Sequence, residues 1–200
     1  YFLNLYHQQH YDTAMSTLPV VNSTMFITRI EVWVTNRTSN TENTRNIVAF
    51  SDLGQALPSN CQGNPGSYAG TEIPDNQGNG LYDWAANQPM VRDFVNSTTD
   101  LSTQVNAPGP FLQAVDYEKV ENARKLIQGS EYNLDTQLGY ISLNQRLQND
   151  EILSVAYQYT VGDQVYQVGE FANDGVNATD SNVDPNTGNQ IVTNQSLVLK

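Results

Sequence analysis

Ile27-Thr28-Arg29-Ile30-Glu31-Val32-Trp33-Val34-Thr35-Asn36 is the stretch on which the fold turns. In an extended chain Ile30, Val32 and Val34 fall on one side, with Arg29, Glu31 and Thr35 on the other beside Trp33. That pattern predicts a strand with one buried and one wetted face. A polar linker, Ser39 to Asn46, leads to a second β-rich run, Ile47 to Leu53, ended by Gly54. The two runs are expected to pair as a hairpin with a long loop.

Strand patterns return after Glu131, over Leu138 to Asn144, Ile152 to Val161, Gln164 to Phe171 and Ile191 to Leu199. The run from Leu153 to Val161 alternates, and Gly162-Asp163 suits a tight hairpin because glycine reaches positive φ without steric cost. Between the two β regions the patterns turn helical. One helical stretch runs from Leu81 to Leu101 with a break at Pro89. Another runs from Asp116 to Gln128, where Asp116 reads as an N-cap and Gly129 as a stop. There Tyr117, Val120, Ala123, Arg124 and Ile127 follow helical spacing.

The β, then α, then β order predicts an α+β fold. Its antiparallel β-sheet, of sandwich-like type, is built from N- and C-terminal strands, with one or two helices from the middle. Residues 1–200 read as one domain of a larger protein. A subdomain boundary is expected near 107–110, where Ala107-Pro108-Gly109-Pro110 removes a backbone donor and fixes the chain. Pro58 to Gly80 and Asn173 to Asn189 read as long loops.

Composition excludes several classes. Nine Lys+Arg against 21 Asp+Glu give a formal charge of -12, which repels phosphate backbones and anionic headgroups, so nucleic acid is excluded as a partner. Charged residues are only 15% of the chain, and the polar surface is made of Asn, Gln, Ser and Thr, as suits an exported protein. Cys61 is the single cysteine, so no internal disulfide framework exists. No run approaches the roughly 18 apolar residues of a membrane helix, and Tyr1 opens directly into polar sequence, so the chain reads as an excised piece. Sequons begin at Asn22, Asn36, Asn96, Asn177 and Asn194, a number that this Asn, Ser and Thr content produces nearly by chance. About six strand patterns mixed with helices fall short of the eight that a membrane barrel needs.

Two clusters invite a metal reading, and neither is complete. His7 and His10 would share a helix face, but no cysteine or further histidine completes a transition-metal set, so both read as ordinary polar histidines near a strand or turn. Asp174, Asp180, Asn182, Asp184 and Asn186 offer hard oxygens at alternate positions. Pro185, however, stands where a calcium loop needs glycine, and a solvated turn cluster is the simpler account. Nucleophile elbows, Walker loops, dinucleotide fingerprints, zinc-protease helices and Cys-x-x-Cys pairs are all absent from the sequence. No catalytic, cofactor or metal residue is therefore assigned, and the chain is expected not to be an enzyme. A rival class is a surface module for carbohydrate or calcium, for which Tyr68, Tyr82 and Trp84 are the candidates, although core packing is the better account of Trp84.

Several segments carry a family resemblance. Thr28 to Asn36, Asn43-Thr44-Arg45-Asn46-Ile47-Val48-Ala49-Phe50, Asn122-Ala123-Arg124-Lys125-Leu126, Leu138 to Asn144, Val155-Ala156-Tyr157-Gln158-Tyr159 and Tyr166-Gln167-Val168-Gly169-Glu170-Phe171 resemble the SprA/Sov family. These are gliding-motility and secretion proteins of Bacteroidetes. The resemblance implies a part of the type IX secretion translocon at the outer membrane, facing periplasm or cell surface, that shapes the pore vestibule or docks accessory proteins. The partners it implies are a PorV-like shuttle protein, a plug protein and secreted cargo. The two long loops do not share the resemblance.

Overall fold

The computed structural model describes residues 1–39, 41–53, 73–78, 80–103, 111–183 and 187–200. Expectations for Gly54, for most of the Pro58 to Gly80 loop with Cys61 and Tyr68, for the 107–110 boundary, and for Asp184, Pro185 and Asn186 fall outside them. Among the described residues three short helices, α1 (Leu5–Met15), α2 (Gly80–Ala86) and α3 (Pro89–Arg92), accompany ten strands. The strands are β1 (Met25–Val34), β2 (Thr44–Phe50), β3 (Tyr117–Lys125), β4 (Tyr132–Asp135), β5 (Tyr140–Leu143), β6 (Leu153–Val161), β7 (Gln164–Val168), β8 (Thr179–Val183), β9 (Gln190–Asn194) and β10 (Leu197–Leu199). The α+β expectation holds at that level, with a mostly antiparallel sheet and few helices.

Six strands form the main sheet in the order β10-β2-β3-β1-β6-β7, and β4-β5 and β8-β9 form two separate ribbons. All pairings in the main sheet are antiparallel except β10 with β2. Just past β10 the backbones of Val155 and Lys200 exchange hydrogen bonds at 2.7 and 3.1 Å. The sheet therefore curls until the β10 end meets β6, the β6–β7 hairpin sharing that same edge of β6.

Curling gives the sheet two dry faces. Trp33, Ile47, Val120, Ala123, Ala156, Leu197 and Leu199 form one cluster. Their neighbours in sequence, Val32, Val34, Val48, Val155, Tyr157 and Val198, form the other. The alternation is that of pleated strands, and the small side chains Ala123 and Ala156 suit a tightly curled interior. The second face is covered by Leu81, Ala85, Met90 and Val91 of α2 and α3, by Leu3, and by Tyr132 and Ile141 of the β4–β5 ribbon. That mixed layer stands where the sandwich-like expectation placed a second sheet.

Four kinds of expectation change here: a pairing, two face patterns, a helix and a loop. β1 and β2 do not pair as a hairpin, because β3 lies between them: Val34 and Thr44 both align with Arg124. The polar linker thus crosses one strand rather than turning back along it. Glu31 is buried, not wetted, since the far half of β1 lies where both faces are covered. Leu153 to Val161 likewise buries Ser154 through Tyr157 consecutively instead of alternating.

The third change is the largest, because Asp116 to Gln128 is strand β3 and not a helix. Opposite it, Arg45 aligns with Ala123 but Ile47 aligns with Val120, so β3 carries one extra residue at Glu121-Asn122, with Asn122 at φ 52°. That bulge puts Val120 and Ala123 on the same face. With Tyr117 and Leu126 on the other face, burial recurs every third residue and imitates a helix. Asp116 caps a turn, its carboxylate accepting from the Leu112 N–H at 2.8 Å.

Fourth, part of the Asn173 to Asn189 loop is strand β8, paired with β9, and Ile191 to Leu199 divides into β9 and β10, which belong to different sheets. The β6–β7 hairpin through Gly162 is as expected, with Gly162 at φ 59°. Leu81 to Leu101 breaks at Pro89 as expected, the proline standing at the start of α3, where its missing N–H costs nothing.

Candidate functional site

Charged side chains from distant parts of the sequence gather on the curled sheet, and they hold the densest chemistry among the described residues. Glu170 follows β7 and is 4% exposed. Its two oxygens accept from Arg92 Nη1 and Nη2 at 2.6 Å each, from the Tyr82 hydroxyl at 3.0 Å and from the Val198 N–H at 2.9 Å. Burial works against the charge of Arg92, yet the Glu170 carboxylate more than offsets this and leaves the guanidinium above its ordinary pKa. Burial and the same carboxylate push the Tyr82 hydroxyl up. With both oxygens doubly hydrogen-bonded, Glu170 has little capacity left for a proton transfer or a metal.

Glu31 on β1 is the second buried carboxylate. It accepts from Lys125 Nζ at 2.6 Å and from the Ala172 N–H at 3.0 Å, with Arg29 Nη2 at 3.9 Å. The Arg29 guanidinium lies over the Phe171 ring, 3.8 Å from its centroid, and also pairs with Asp174. Arg45 on β2 completes the group by donating to the carbonyls of Ala172, Val176, Asn177 and Gln195 at 3.0 to 3.4 Å. Burial lowers its pKa, and the Glu170 and Glu31 charges oppose that shift. The arrangement clasps the stretches from Glu170 to Asn177 and from Gln195 to Val198 onto the sheet.

The residues singled out from sequence are dispersed. His7 and His10 do lie on a helix, α1, which the strand-or-turn reading missed. His7 is 4% exposed, its Nδ1 2.8 Å from the Asn4 carboxamide oxygen that also caps the helix, while His10 is exposed and stacks on Tyr6 at 4.1 Å. Burial lowers the pKa of His7. Among the described residues no three His, Cys, Asp or Glu side chains converge on a metal position. Asp174 is drawn to Arg29, and Asp180 accepts from the Ser181 N–H at 2.9 Å. Tyr82 joins the Glu170 cluster, and Trp84 packs half-buried at 5.7 Å from the Phe111 ring.

Sequence reading passed over Glu31, Arg45, Arg92 and Glu170. The signal was present, because a charged residue between apolar neighbours in a strand buried on both faces needs a partner. A cavity of about 490 Å³ opens at one end of the sheet, lined by Leu3, Phe50, Tyr117, Ile141, Leu153 and Val155. Lys200 also lines it, and burial lowers its ammonium pKa to about 8. No helix of the described residues is long and apolar enough to cross a membrane. Compared with known protein families and with curated proteins, the chain matches none of them.

Proposed function

We propose that the chain is a non-catalytic domain of a type IX secretion translocon in the outer membrane of Bacteroidetes, acting in protein export to the cell surface and in gliding motility. It shapes the pore vestibule or docks accessory proteins there. One observation carries the reading: five of the six segments that resemble the SprA/Sov family lie on or beside β1, β2, β3, β6 and β7 of the main sheet, and they bring most of its buried charges. Glu31, Arg45, Lys125 and Glu170 all stand in those segments, on or beside β1, β2, β3 and β7. The likeness thus falls on residues most of whose side-chain partners lie far away in sequence, at separations that reach 78 to 150 residues. A non-catalytic role is supported by the use of these charges as a clasp.

The test is capture from a Bacteroidetes outer-membrane extract with the tagged chain as bait, against a control with scrambled surface residues. Retention of a PorV-like shuttle protein, a plug protein or secreted cargo supports docking. If none of them rises above the control, the docking role is wrong and a purely structural role in the vestibule is left.

A further inference from the structure

The β8–β9 ribbon stands apart from the main sheet and is tied to it only at its base among the described residues, through Arg45 and the flanking turns. Its described side chains are almost all exposed, Val183 at 66% and Val192 at 59%. An isolated two-stranded ribbon is marginal in water, and three or more strands are needed for independent stability.

The hydrogen-bond phase of the ribbon says which groups face outward. Gln195 N donates to Ala178 O at 2.9 Å, so the inward pairs are Ala178 with Gln195, Asp180 with Thr193 and Asn182 with Ile191. The main-chain groups of Thr179, Ser181 and Val183 then face out from β8, and those of Gln190, Val192 and Asn194 face out from β9. The β8 edge is blunted, because the Asp180 carboxylate takes the Ser181 N–H and adds a charge. The β7 edge of the main sheet is covered too, by Asp75 accepting from Gln167 N and Asn76 accepting from Gly169 N, both at 3.0 Å. β9 has no such guard among the described residues. Its sequence, Gln190-Ile191-Val192-Thr193-Asn194, contains no charge and no proline, the usual devices against edge pairing.

That sequence also reads alike in both directions: an amide, a β-branched residue, valine, a β-branched residue, an amide. We infer that β9 pairs antiparallel with β9 of a second copy of this chain, about a two-fold axis at Val192. Val192 then exchanges both main-chain hydrogen bonds with its counterpart, and Gln190 meets Asn194 on either side. The result is a four-stranded sheet in which no like charges face one another across the new seam. The contact is isologous, as a two-fold pairing requires. It is smaller than the roughly 1,000 Å² of a stable interface, so the association is weak and concentration-dependent. Each chain carries a formal charge of -12, so added salt strengthens the association by screening, whereas a basic partner strand would be weakened by it.

The experiment is sedimentation equilibrium of the full chain from micromolar to millimolar concentration at low and high salt. It is run beside Val192→Pro, which removes the central outward donor at an edge position that tolerates proline, and beside Val192→Lys, which sets like charges against each other. A dimer that tightens with salt, is abolished by V192P and is weakened at least tenfold by V192K at low salt is expected. In a Cys61→Ser background, V192C should also oxidise to a covalent dimer faster than V183C, since paired strands bring Cα atoms to about 5.5 Å, within disulfide range. A monomer throughout, a dimer indifferent to V192P, or equal cross-linking at the two positions overturns the assignment.

Discussion

Arg92 presents both terminal guanidinium nitrogens to the Glu170 carboxylate, each at 2.6 Å, and so joins α3 to the chain beyond β7. Removing one side of such a buried pair leaves the other charge uncompensated. Glu170→Gln is expected to destabilise the fold by about 3 kcal/mol. Glu170→Gln with Arg92→Met should recover much of that loss. Chemical denaturation of Glu170→Gln, Arg92→Met and the double variant checks it, and simple additivity of the two single losses would contradict the coupling.

Arg45 is a single side chain holding four carbonyls. Arg45→Met should raise hydrogen exchange across residues 172–183 and 187–195 several-fold and leave the β1–β6 amides protected. Equal acceleration everywhere would mean that Arg45 supports the whole sheet rather than one flap.

Gly139 has φ 61°, and a Cβ there would stand 2.2 Å from the His7 ring. Gly139→Ala is therefore expected to cost about 3 kcal/mol, more than the roughly 1 kcal/mol of backbone strain alone. Adding His7→Ala should relieve the clash but not the strain. A thermal melt that finds no recovery in the double variant would show that the ring was not the obstacle.

Burial holds His7 below its ordinary pKa of 6.5 in the folded chain, with His10 and Lys200 acting in the same direction and Asp135 and a backbone hydrogen bond against it. The unfolded chain thus takes up the proton first. Stability from the neutral ring is complete above about pH 6.5 and declines as the pH falls below it. Melting temperature should drop between pH 7 and pH 5, and His7→Gln should flatten that drop. An unchanged slope in the variant would place the acid sensitivity elsewhere.

Lys200 has a buried ammonium, although the residue as a whole is only partly covered, and its pKa falls to about 8 from 10.5. The folded chain therefore prefers the neutral amine. Its cost, roughly 3 kcal/mol, is complete below pH 8 and fades as the pH rises toward 10.5. Stability of the wild type relative to Lys200→Met should accordingly rise across that interval. A constant difference would mean that the ammonium is not buried.

Strands that pair locally were legible in the sequence. Gly162-Asp163 names its own hairpin, and Pro89 names its own break, because each acts through the backbone of its immediate neighbours. What could not be read was where strands go when their partners are distant. β3 fits between β1 and β2 only because its bulge matches Asn46, which donates nothing to local pattern and yet accepts from the Asn122 N–H at 3.0 Å. The charge cluster was hidden for the same reason. Glu31 looks like the wet side of an amphipathic strand until the sheet curls over it and Lys125 arrives from 94 residues away.

The bulge in β3 makes chain length itself part of how the strand reads. Every substitution at Asn122 keeps the count of residues between Val120 and Ala123, but a deletion there does not. Removing that one residue would take away the bulge and leave Glu121 opposite Asn46, with Val120 and Ala123 still on one face of an unbroken ladder. The extra residue is thus what spaces these two buried side chains three apart, and without it Val120 and Ala123 would stand two apart, as on any regular strand.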